Sequence, residues 1–331
     1  MATTGTDTSV TSQHPDRKGP QTSTTPTRVT ATRSAGSVRR GAPWAPYVFL
    51  APYLLLFVVF IAIPAVYGLW ISLHNWDYLA DDAPFVGLEN YTRLFDSESF
   101  AAADFWQSMR ATGQFTLYSV APLVLIPLAV AVLLNRSFRG RTFFRAMFFA
   151  PYVLGIAVIG VLFSFLLDPN IGLLNDYLGR LGVDRNIPWT TSVPEAWVSL
   201  VAVTVWWTLG FNAVIYLAGL QDIPRDLYEA ASVDGAGALR RFWHITLPGL
   251  RRVLIFVITI TLLASANMFG QSYLITQGGP GDQTRVAIMF IAEEGLGNFR
   301  MGSAAAMSYV LAAFLLALAT GMFALSRRWE D

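Results

Sequence analysis

Residues 221–248 read QDIPRDLYEAASVDGAGALRRFWHITLP and separate two long apolar stretches. Pro224 suits the first turn of a helix, and residues 229–231, Glu-Ala-Ala, have high helix propensity. Gly235 and Gly237 permit a sharp break, after which a second helix can start. The segment therefore predicts two short helices joined at glycines.

The side chains of this segment allow two interpretations. Leu227, Ala230 and Ala231 would give the first helix an apolar face that could dock on a partner. Alternatively, the segment is an amphipathic linker on the membrane surface, with Arg240 and Arg241 facing lipid headgroups.

The composition on either side of this segment indicates a membrane protein. The 331 residues are 54% hydrophobic and 14% charged, whereas a soluble domain carries about 25% charged residues. Six apolar stretches are long enough to cross a hydrocarbon core of about 30 Å as helices. We predict an all-α integral membrane protein with six transmembrane helices at residues 46–73, 112–134, 143–167, 196–220, 253–275 and 303–325. Kinks are expected at Pro64, Pro122, Pro127 and Pro151.

The first 41 residues differ from the rest of the chain. They are rich in Ser, Thr, Pro and Arg and nearly lack large apolar side chains, so they cannot bury enough surface to fold. We predict a disordered tail at residues 1–41 and a six-helix domain at residues 42–331.

Charge in the connecting loops predicts the orientation, because cytoplasmic loops are enriched in arginine and lysine. Arginines follow the second, fourth and sixth spans, at Arg136, Arg139, Arg141 and Arg145, at Arg225, Arg240, Arg241, Arg251 and Arg252, and at Arg327 and Arg328. The alternate loops carry most of the acidic residues. Both termini are therefore expected in the cytoplasm.

Several chemistries are excluded or disfavoured by missing residue types. The chain has no cysteine, which rules out disulfides and thiolate metal sites. Its three histidines lie outside the apolar runs, so no metal site is expected. The only lysine is Lys18, and a phosphate-binding Walker A loop needs a lysine. We therefore expect no cofactor bound by this chain.

The predicted spans contain no Asp, Glu, His or Lys. An ion-coupled transporter normally places such a residue at membrane depth to bind its driving ion. Backbone carbonyls can also hold sodium, so an ion-coupled secondary transporter remains an alternative, as does a structural scaffold.

The spacing of residues 229–248 resembles the complete EAA motif of permease subunits in binding-protein-dependent ABC importers. Seven specified positions match, and we refer to residues 221–248 as the EAA loop. The resemblance implies a type I ABC importer permease fold in which this loop sits in a cleft of an ATPase subunit, whose closure moves the spans. The implied coupling residues are Glu229, Ala230, Ala231, Asp234, Gly235, Ile245, Leu247 and Pro248.

Two further segments are similar to the carbohydrate branch of that family, its maltose-permease F-type subunits. Residues 85–95, FVGLENYTRLF, match the branch pattern FVGLxNYxxLF. Residues 274–284 match its TxGGPxxxT turn through Thr276, Gly278, Gly279 and Pro280. The sequence departs from the enteric maltose subunit in one respect, since no large extracytoplasmic domain is inserted between the predicted spans.

The resemblance implies a set of partners in a bacterial plasma membrane. They are a second, G-type permease subunit, two ATP-binding subunits that use ATP and Mg, an extracytoplasmic sugar-binding protein or lipoprotein, and membrane lipid, without nucleic acid. The expected function is ATP-driven import of a mono-, di- or oligosaccharide by alternating access. A permease for glycerol phosphate or a polyol is the alternative within the same class.

A sugar site should lie near mid-membrane, where aromatic faces stack on pyranose rings and amides or hydroxyls meet the sugar hydroxyls. The candidates are Trp206, Gly210, Asn212 and Tyr216 in the fourth span and Ser265, Asn267 and Gln271 in the fifth. Each could instead serve ordinary helix packing, since small and polar residues also hold membrane helices together.

Overall fold

The computed structural model describes residues 44–80, 82–96, 98–183 and 186–330. The predicted tail at residues 1–41 lies outside these ranges. Within them the regular elements are helices, with two isolated bridges and no strand. The α-helices are α1 Ala45–Phe57, α2 Ile63–Ser72, α3 Glu89–Thr92, α4 Phe100–Asn135, α5 Arg141–Val153, α6 Ile156–Leu166, α7 Leu173–Arg180, α8 Glu195–Asp222, α9 Arg225–Val233, α10 Ala238–Arg241, α11 Leu247–Gly249, α12 Arg251–Ala266, α13 Ala287–Ala292 and α14 Met301–Glu330.

Short turns of other helix types extend several of these elements. A 3₁₀ turn covers Arg93–Phe95, and π-helical turns cover Val58–Ala62, Phe242–Thr246, Ser272–Thr276 and Glu293–Gly297. Helix α1 therefore runs through a π-helical turn into α2. The resulting segment, Tyr47–Ser72, is long and apolar enough to cross a membrane.

The described residues contain four such uninterrupted helical segments, namely Tyr47–Ser72, Phe100–Asn135, Glu195–Asp222 and Met301–Leu325. Two bent pairs complete the set: α5 with α6, bent by 95°, and Ala238–Gly249 with α12, bent by 69°. By length and composition the fold has four spans, or six if each bent pair is one span.

The third predicted span, residues 143–167, is therefore not one straight helix. The chain is extended at Leu154 and Gly155, between α5 and α6. Pro151 lies in the last turn of α5, where it contributes no backbone donor, and the helix ends two residues later, at Val153. By contrast, Pro122 and Pro127 lie inside α4 without ending it.

The fifth predicted span, residues 253–275, also differs from a single helix. Helix α12 ends at Ala266, and the chain re-forms a π-helical turn at Ser272–Thr276. The predicted range thus covers a helix, a short irregular segment and a turn.

Helices α4 and α8 lie at the centre of the packing. Two buried apolar clusters both draw on these helices, one including Phe115 and Leu200 and the other Leu128 and Leu217. A third cluster packs α4 against α13 and α14 through residues such as Phe105. The long loop after α2 is tied down by Asn90, in the FVGLENYTRLF segment, whose Nδ2 lies 2.9 Å from both Ser72 O and His74 O.

Candidate functional site: an exposed two-helix loop and a cavity between helices

The EAA loop has a glycine break between its first two helices. Helix α9 ends at Val233, and Gly235 follows with φ +73°, a left-handed conformation that glycine adopts without steric cost. The Ala236 amide donates to Ala231 O at 2.8 Å, which closes the end of the helix. Helix α10 starts at Ala238, so the predicted pair of short helices joined at glycines is present.

Side chains hold the two halves of the loop together. The hydroxyls of Tyr228 and Thr246 lie 3.0 Å apart, and Thr246 is buried. Arg241 donates from Nη1 to Ser232 Oγ at 2.9 Å. These contacts join α9 to the segment from α10 to α11, so the two halves are linked by side chains as well as by the chain.

The base of the loop is embedded in one of the buried clusters. Ile223 lies just before α9, and Leu250 lies just after α11. Both pack in the cluster that also contains Tyr216 of α8 and Val257 of α12. Ile245 packs against the same cluster. A displacement of the loop would therefore act on both α8 and α12.

The rest of the loop faces outward. Of the predicted coupling residues, Glu229, Ala230, Asp234, Gly235 and Pro248 are exposed, whereas Ala231, Ile245 and Leu247 are partly buried. Four large apolar side chains are also more than half exposed on this loop: Leu227, Val233, Leu239 and Trp243. An exposed apolar patch of this kind is typical of a protein–protein contact surface.

A cavity of about 380 Å³ lies between α4, α5, α8 and α12, and we call it the transport cavity after the sugar pathway expected from the sequence. It is lined by Phe115, Leu123, Tyr152, Thr204, Trp207, Thr208, Phe211, Asn212, Phe256, Ile260, Thr261, Ala264, Ser265, Met268 and Gln271. These side chains are apolar, aromatic or neutral polar. Among the described residues, no charged group lines this cavity.

The aromatic side of the transport cavity lies at the bend between α5 and α6. The rings of Tyr152 and Phe211 are stacked with centroids 4.8 Å apart, and the ring of Trp207 lies 6.3 Å from that of Tyr152. Trp207 donates from Nε1 to Leu154 O at 3.0 Å, which satisfies a carbonyl freed where the helix breaks. The bend and the aromatic wall therefore support each other.

The polar side of the transport cavity is made of amides and hydroxyls. Gln271 Nε2 donates to Thr204 Oγ1 at 3.4 Å, and Asn212 Nδ2 donates to Leu123 O at 3.0 Å. Ser265 Oγ accepts from Ser119 Oγ at 3.0 Å. The hydroxyl of Thr261 is buried without a hydrogen-bond partner in the described residues. A ligand hydroxyl is a suitable partner for such a group.

The seven predicted pathway residues are divided between several environments. Asn212, Ser265 and Gln271 line the transport cavity, and the other four do not. Trp206 is 41% exposed and its ring packs edge-on against Phe163. Asn267 is exposed at the end of α12, where its Nδ2 donates to Leu263 O.

Gly210 and Tyr216 lie in tightly packed environments. A Cβ at position 210 would lie 2.4 Å from Phe148 O, so glycine there lets α8 approach the backbone of α5. Tyr216 is fully buried in the cluster beneath the EAA loop.

Several residues that line the transport cavity were not predicted from the sequence, although they form a stripe along one face of each helix. On α8 the lining positions are 204, 207, 208, 211 and 212, a spacing of i, i+3, i+4, i+7 and i+8. On α12 they are 256, 260, 261, 264 and 265. Searching the apolar spans for a stripe of aromatic and neutral polar residues would have found Thr204, Trp207, Phe211 and Thr261.

The predicted turn after the fifth span folds onto itself, and we call residues 276–285 the GGP turn. The hydroxyls of Thr276 and Thr284 lie 2.7 Å apart, and both side chains are buried. Thr284 Oγ1 also donates to Gly279 O at 2.6 Å. Gly278 has φ +79°, and a Cβ there would be tightly placed, 3.1 Å from Arg285 Cβ.

Arg285 connects the GGP turn to its surroundings. Its guanidinium lies 3.4 to 3.6 Å from carboxylate oxygens of Asp104, Asp282 and Glu293. Burial raises the pKa of the Glu293 carboxyl, an effect that outweighs the opposing charge of Arg285. The turn is therefore fixed both by its own hydrogen bonds and by a surrounding ion cluster.

The described residues form helices that include four to six apolar segments long enough to span a membrane, and this defines a multi-pass membrane protein. The family comparison gives the particular class. The chain belongs to the family described as binding-protein-dependent transport system inner membrane component, whose model matches residues 124–330. It is a transport subunit, and the permease family predicted from the EAA motif is confirmed.

Two relatives of this chain agree with the family assignment. The chain is 33% identical over 276 residues to the "Probable ABC transporter permease protein YurN" of Bacillus subtilis (strain 168), covering 82% of this chain and 92% of that protein. It is 34% identical over 281 residues to the sn-glycerol-3-phosphate transport system permease protein UgpA of Salmonella typhimurium, covering 85% and 93%. The family favours an ABC importer subunit over the ion-coupled alternative.

The fold also matches a solved structure. A chain in the crystal structure of a bacterial ABC transporter involved in the import of the acidic polysaccharide alginate aligns with a TM-score of 0.75 at 24% identity. The alignment covers 86% of this chain and 96% of that one. The predicted ABC importer permease fold is thereby confirmed.

Proposed function

We propose that this chain conducts a neutral sugar through the transport cavity and that partner ATPases drive it through the EAA loop. The observation that carries the proposal is the position of the loop. Its outer surface is open, and its base packs in the cluster that contains Tyr216 of α8 and Val257 of α12. Both helices also line the transport cavity. Force on the loop would reach the cavity walls through two rigid helices.

The ATP-binding partners would dock on the exposed coupling residues. Glu229 and Gly235 would carry the coupling, with Leu227 and Val233 providing apolar contact area. Two such subunits would hydrolyse ATP with Mg, and this chain would bind neither. Each cycle of closure and reopening would alternate the side to which the transport cavity opens.

The lining of the transport cavity favours a neutral sugar. Aromatic faces such as Trp207 and Phe211 suit pyranose rings, and Asn212, Thr261 and Gln271 suit hydroxyl groups. An anionic solute would meet no opposite charge in the lining, which makes its desolvation costly.

Glycerol phosphate is the second candidate, because UgpA, 34% identical, is named as the permease for sn-glycerol 3-phosphate. Its phosphate would have to be met by arginines outside the transport cavity. A neutral sugar could therefore be bound by the transport cavity alone, whereas glycerol phosphate would also need arginines outside it.

The remaining partners are proposed from the family and from the orientation that the loop charges predict. The family description specifies binding-protein-dependent transport, and the alginate transporter has been solved with a periplasmic protein that holds an alginate pentasaccharide. We infer an extracytoplasmic sugar-binding protein or lipoprotein here, and a second, G-type permease subunit to complete the pathway. The complex would lie in a bacterial plasma membrane with both termini of this chain in the cytoplasm.

Adjacent tryptophans allow a matched test of the transport cavity. Uptake of labelled mono- and disaccharides and of sn-glycerol 3-phosphate is measured in cells that carry Trp207→Ala or Trp206→Ala. We expect Trp207→Ala to reduce sugar uptake strongly and Trp206→Ala, outside the lining, to preserve it. Equal effects of the two substitutions would remove the cavity from the pathway. Uptake of glycerol phosphate without any sugar would refute the neutral substrate.

A further inference from the structure

We propose that a second cavity, beside the start of α9, is a binding site for a phosphate group. Its volume is about 710 Å³, and we call it the arginine cavity. It is lined by Asn135, Arg141, Arg145, Leu220, Gln221, Ile223, Arg225, Tyr228 and Glu229. The phosphate would come from the headgroup of an anionic lipid or from free phosphate.

The charges of the arginine cavity are unbalanced. Three arginines, Arg141, Arg145 and Arg225, face one carboxylate, Glu229. In the described part of the chain, none of these four side chains makes an ion pair within 4.0 Å, although other arginines do. An anion with several oxygens would supply the missing acceptors, since guanidinium groups bind phosphate through paired hydrogen bonds.

One of these arginines has a buried donor that lacks a partner. Arg145 donates from Nη2 to Leu134 O at 3.2 Å, near the end of α4, which fixes its guanidinium. Its Nε is buried and makes no hydrogen bond within the described residues. Buried donors of this kind are rare in folded proteins, and an acceptor that reached Nε would satisfy it.

Two helices begin at the edge of the arginine cavity. Arg141 is the first residue of α5, which has 13 residues, and Arg225 is the first of α9, which has 9. The first turn of a helix has free backbone N–H groups and a partial positive charge, which favour bound anions. The partial positive charge at the two helix starts would add to the charge of the three guanidinium groups that line the cavity.

The position of the arginine cavity points to membrane lipid as one source of phosphate. Asn135 is the last residue of α4, and Gln221 lies in the last turn of α8, so the cavity is at the ends of two predicted spans, where lipid headgroups would lie. Basic pockets between spans are known sites for anionic headgroups. A phosphate bound there would connect α5 to α9 next to Glu229 and would restrain the EAA loop.

The test uses the full-length chain in lipid nanodiscs. Native mass spectrometry measures how much phosphatidylglycerol the chain retains from mixed phosphatidylcholine discs, and calorimetry measures inorganic phosphate binding in pure phosphatidylcholine discs. We expect Arg141→Gln with Arg225→Gln to weaken binding about tenfold, since charge-assisted hydrogen bonds are lost. The control, Arg136→Gln with Arg139→Gln, removes two charges outside this lining and should bind normally.

Arg141→Lys with Arg225→Lys retains the charge and should retain part of the binding. This result would show that the glutamine pair binds weakly because it lacks charge and not because it is misfolded. Retained phosphatidylglycerol would support a lipid headgroup, and binding of inorganic phosphate alone would support free phosphate. Equal losses in the glutamine pair and its control would show a general surface attraction and overturn the site. Unchanged binding in the glutamine pair would overturn it as well. None of these outcomes depends on the transported solute or on the orientation of the chain.

Discussion

The EAA loop and the GGP turn are both built around a glycine in a left-handed conformation, Gly235 at φ +73° and Gly278 at φ +79°. A Cβ at Gly278 would lie 3.1 Å from Arg285 Cβ and 3.3 Å from Met289 Cε, and the threonine hydroxyls bond within the turn. Around Gly235 a Cβ would meet no atom within 4 Å, and nearby Val233 is 89% exposed. The GGP turn is completed by its own chain, whereas the EAA loop presents a surface that a partner can complete.

The largest expected effect is in the GGP turn, with Thr284→Val. The hydroxyl of Thr284 contacts Gly279 O and the Thr276 hydroxyl in a fully buried position. Removing it leaves both partners short of a hydrogen bond, so we expect a loss of about 2–3 kcal/mol in the free energy of unfolding. Denaturant titration in detergent measures it. Gln283→Ala, at an exposed position in the same turn, should change the free energy of unfolding little. Equal losses in the two variants would mean that the hydrogen bonds of Thr284 do not stabilise the turn.

The next effect is in the EAA loop, with Glu229→Gln in the assembled importer. Glu229 is exposed and makes no ion pair within the described residues, so its removal should leave stability unchanged. If a partner binds the carboxylate, uptake should fall by about tenfold or more, because the free energy of one charge-assisted hydrogen bond corresponds to a factor of about ten. Asp226→Asn on the same helix is the control for charge. Normal uptake by Glu229→Gln would remove its coupling role.

A smaller effect compares the two glycines directly. Alanine in a left-handed conformation costs about 1 kcal/mol at either position. Gly278→Ala should cost about 1 kcal/mol more than Gly235→Ala, because its new methyl group must also displace Arg285 or Met289. Unfolding midpoints of the two variants decide this. A larger loss at Gly235 would mean that the loop is packed more tightly than its contacts indicate.

The smallest effect is a pH dependence at the edge of the GGP turn. Burial raises the pKa of Glu293 above its ordinary value of 4.5, so the folded state binds the proton more tightly than the unfolded state. Stability should therefore fall as pH rises from about 4.5 through the raised pKa. Glu293→Gln should reduce this slope in thermal unfolding, whereas Glu98→Gln, at an exposed position, should not. An unchanged slope would contradict the burial effect.

The sequence was sufficient for the helical membrane fold and for the paired helices of the EAA loop. Apolar length and the helix propensity of residues 229–231 depend on local chemistry, which a single chain displays directly. The bend after Pro151 was predicted as a kink, but its size of 95° was not, and neither was the hydrogen bond from Trp207 to the freed carbonyl of Leu154. That contact crosses 53 residues of sequence.

The transport cavity was harder to predict because it depends on how helices are rotated. Trp206 and Trp207 are neighbours in the sequence, yet about 100° apart around the helix, and only the latter lines the transport cavity. Gly210 was predicted as a pathway residue, and its neighbours show a close backbone contact with α5. Local composition does not distinguish a small residue that opens space from one that lets two helices touch.

Amide hydrogen exchange, compared between the isolated chain and the assembled importer, tests the contrast between loop and turn most directly. If the EAA loop is a surface completed by ATPase partners, exchange in residues 225–241 should slow markedly on assembly, while residues 276–285 should exchange slowly in both states. Unchanged exchange in residues 225–241, or strong new protection confined to the GGP turn, would contradict this account.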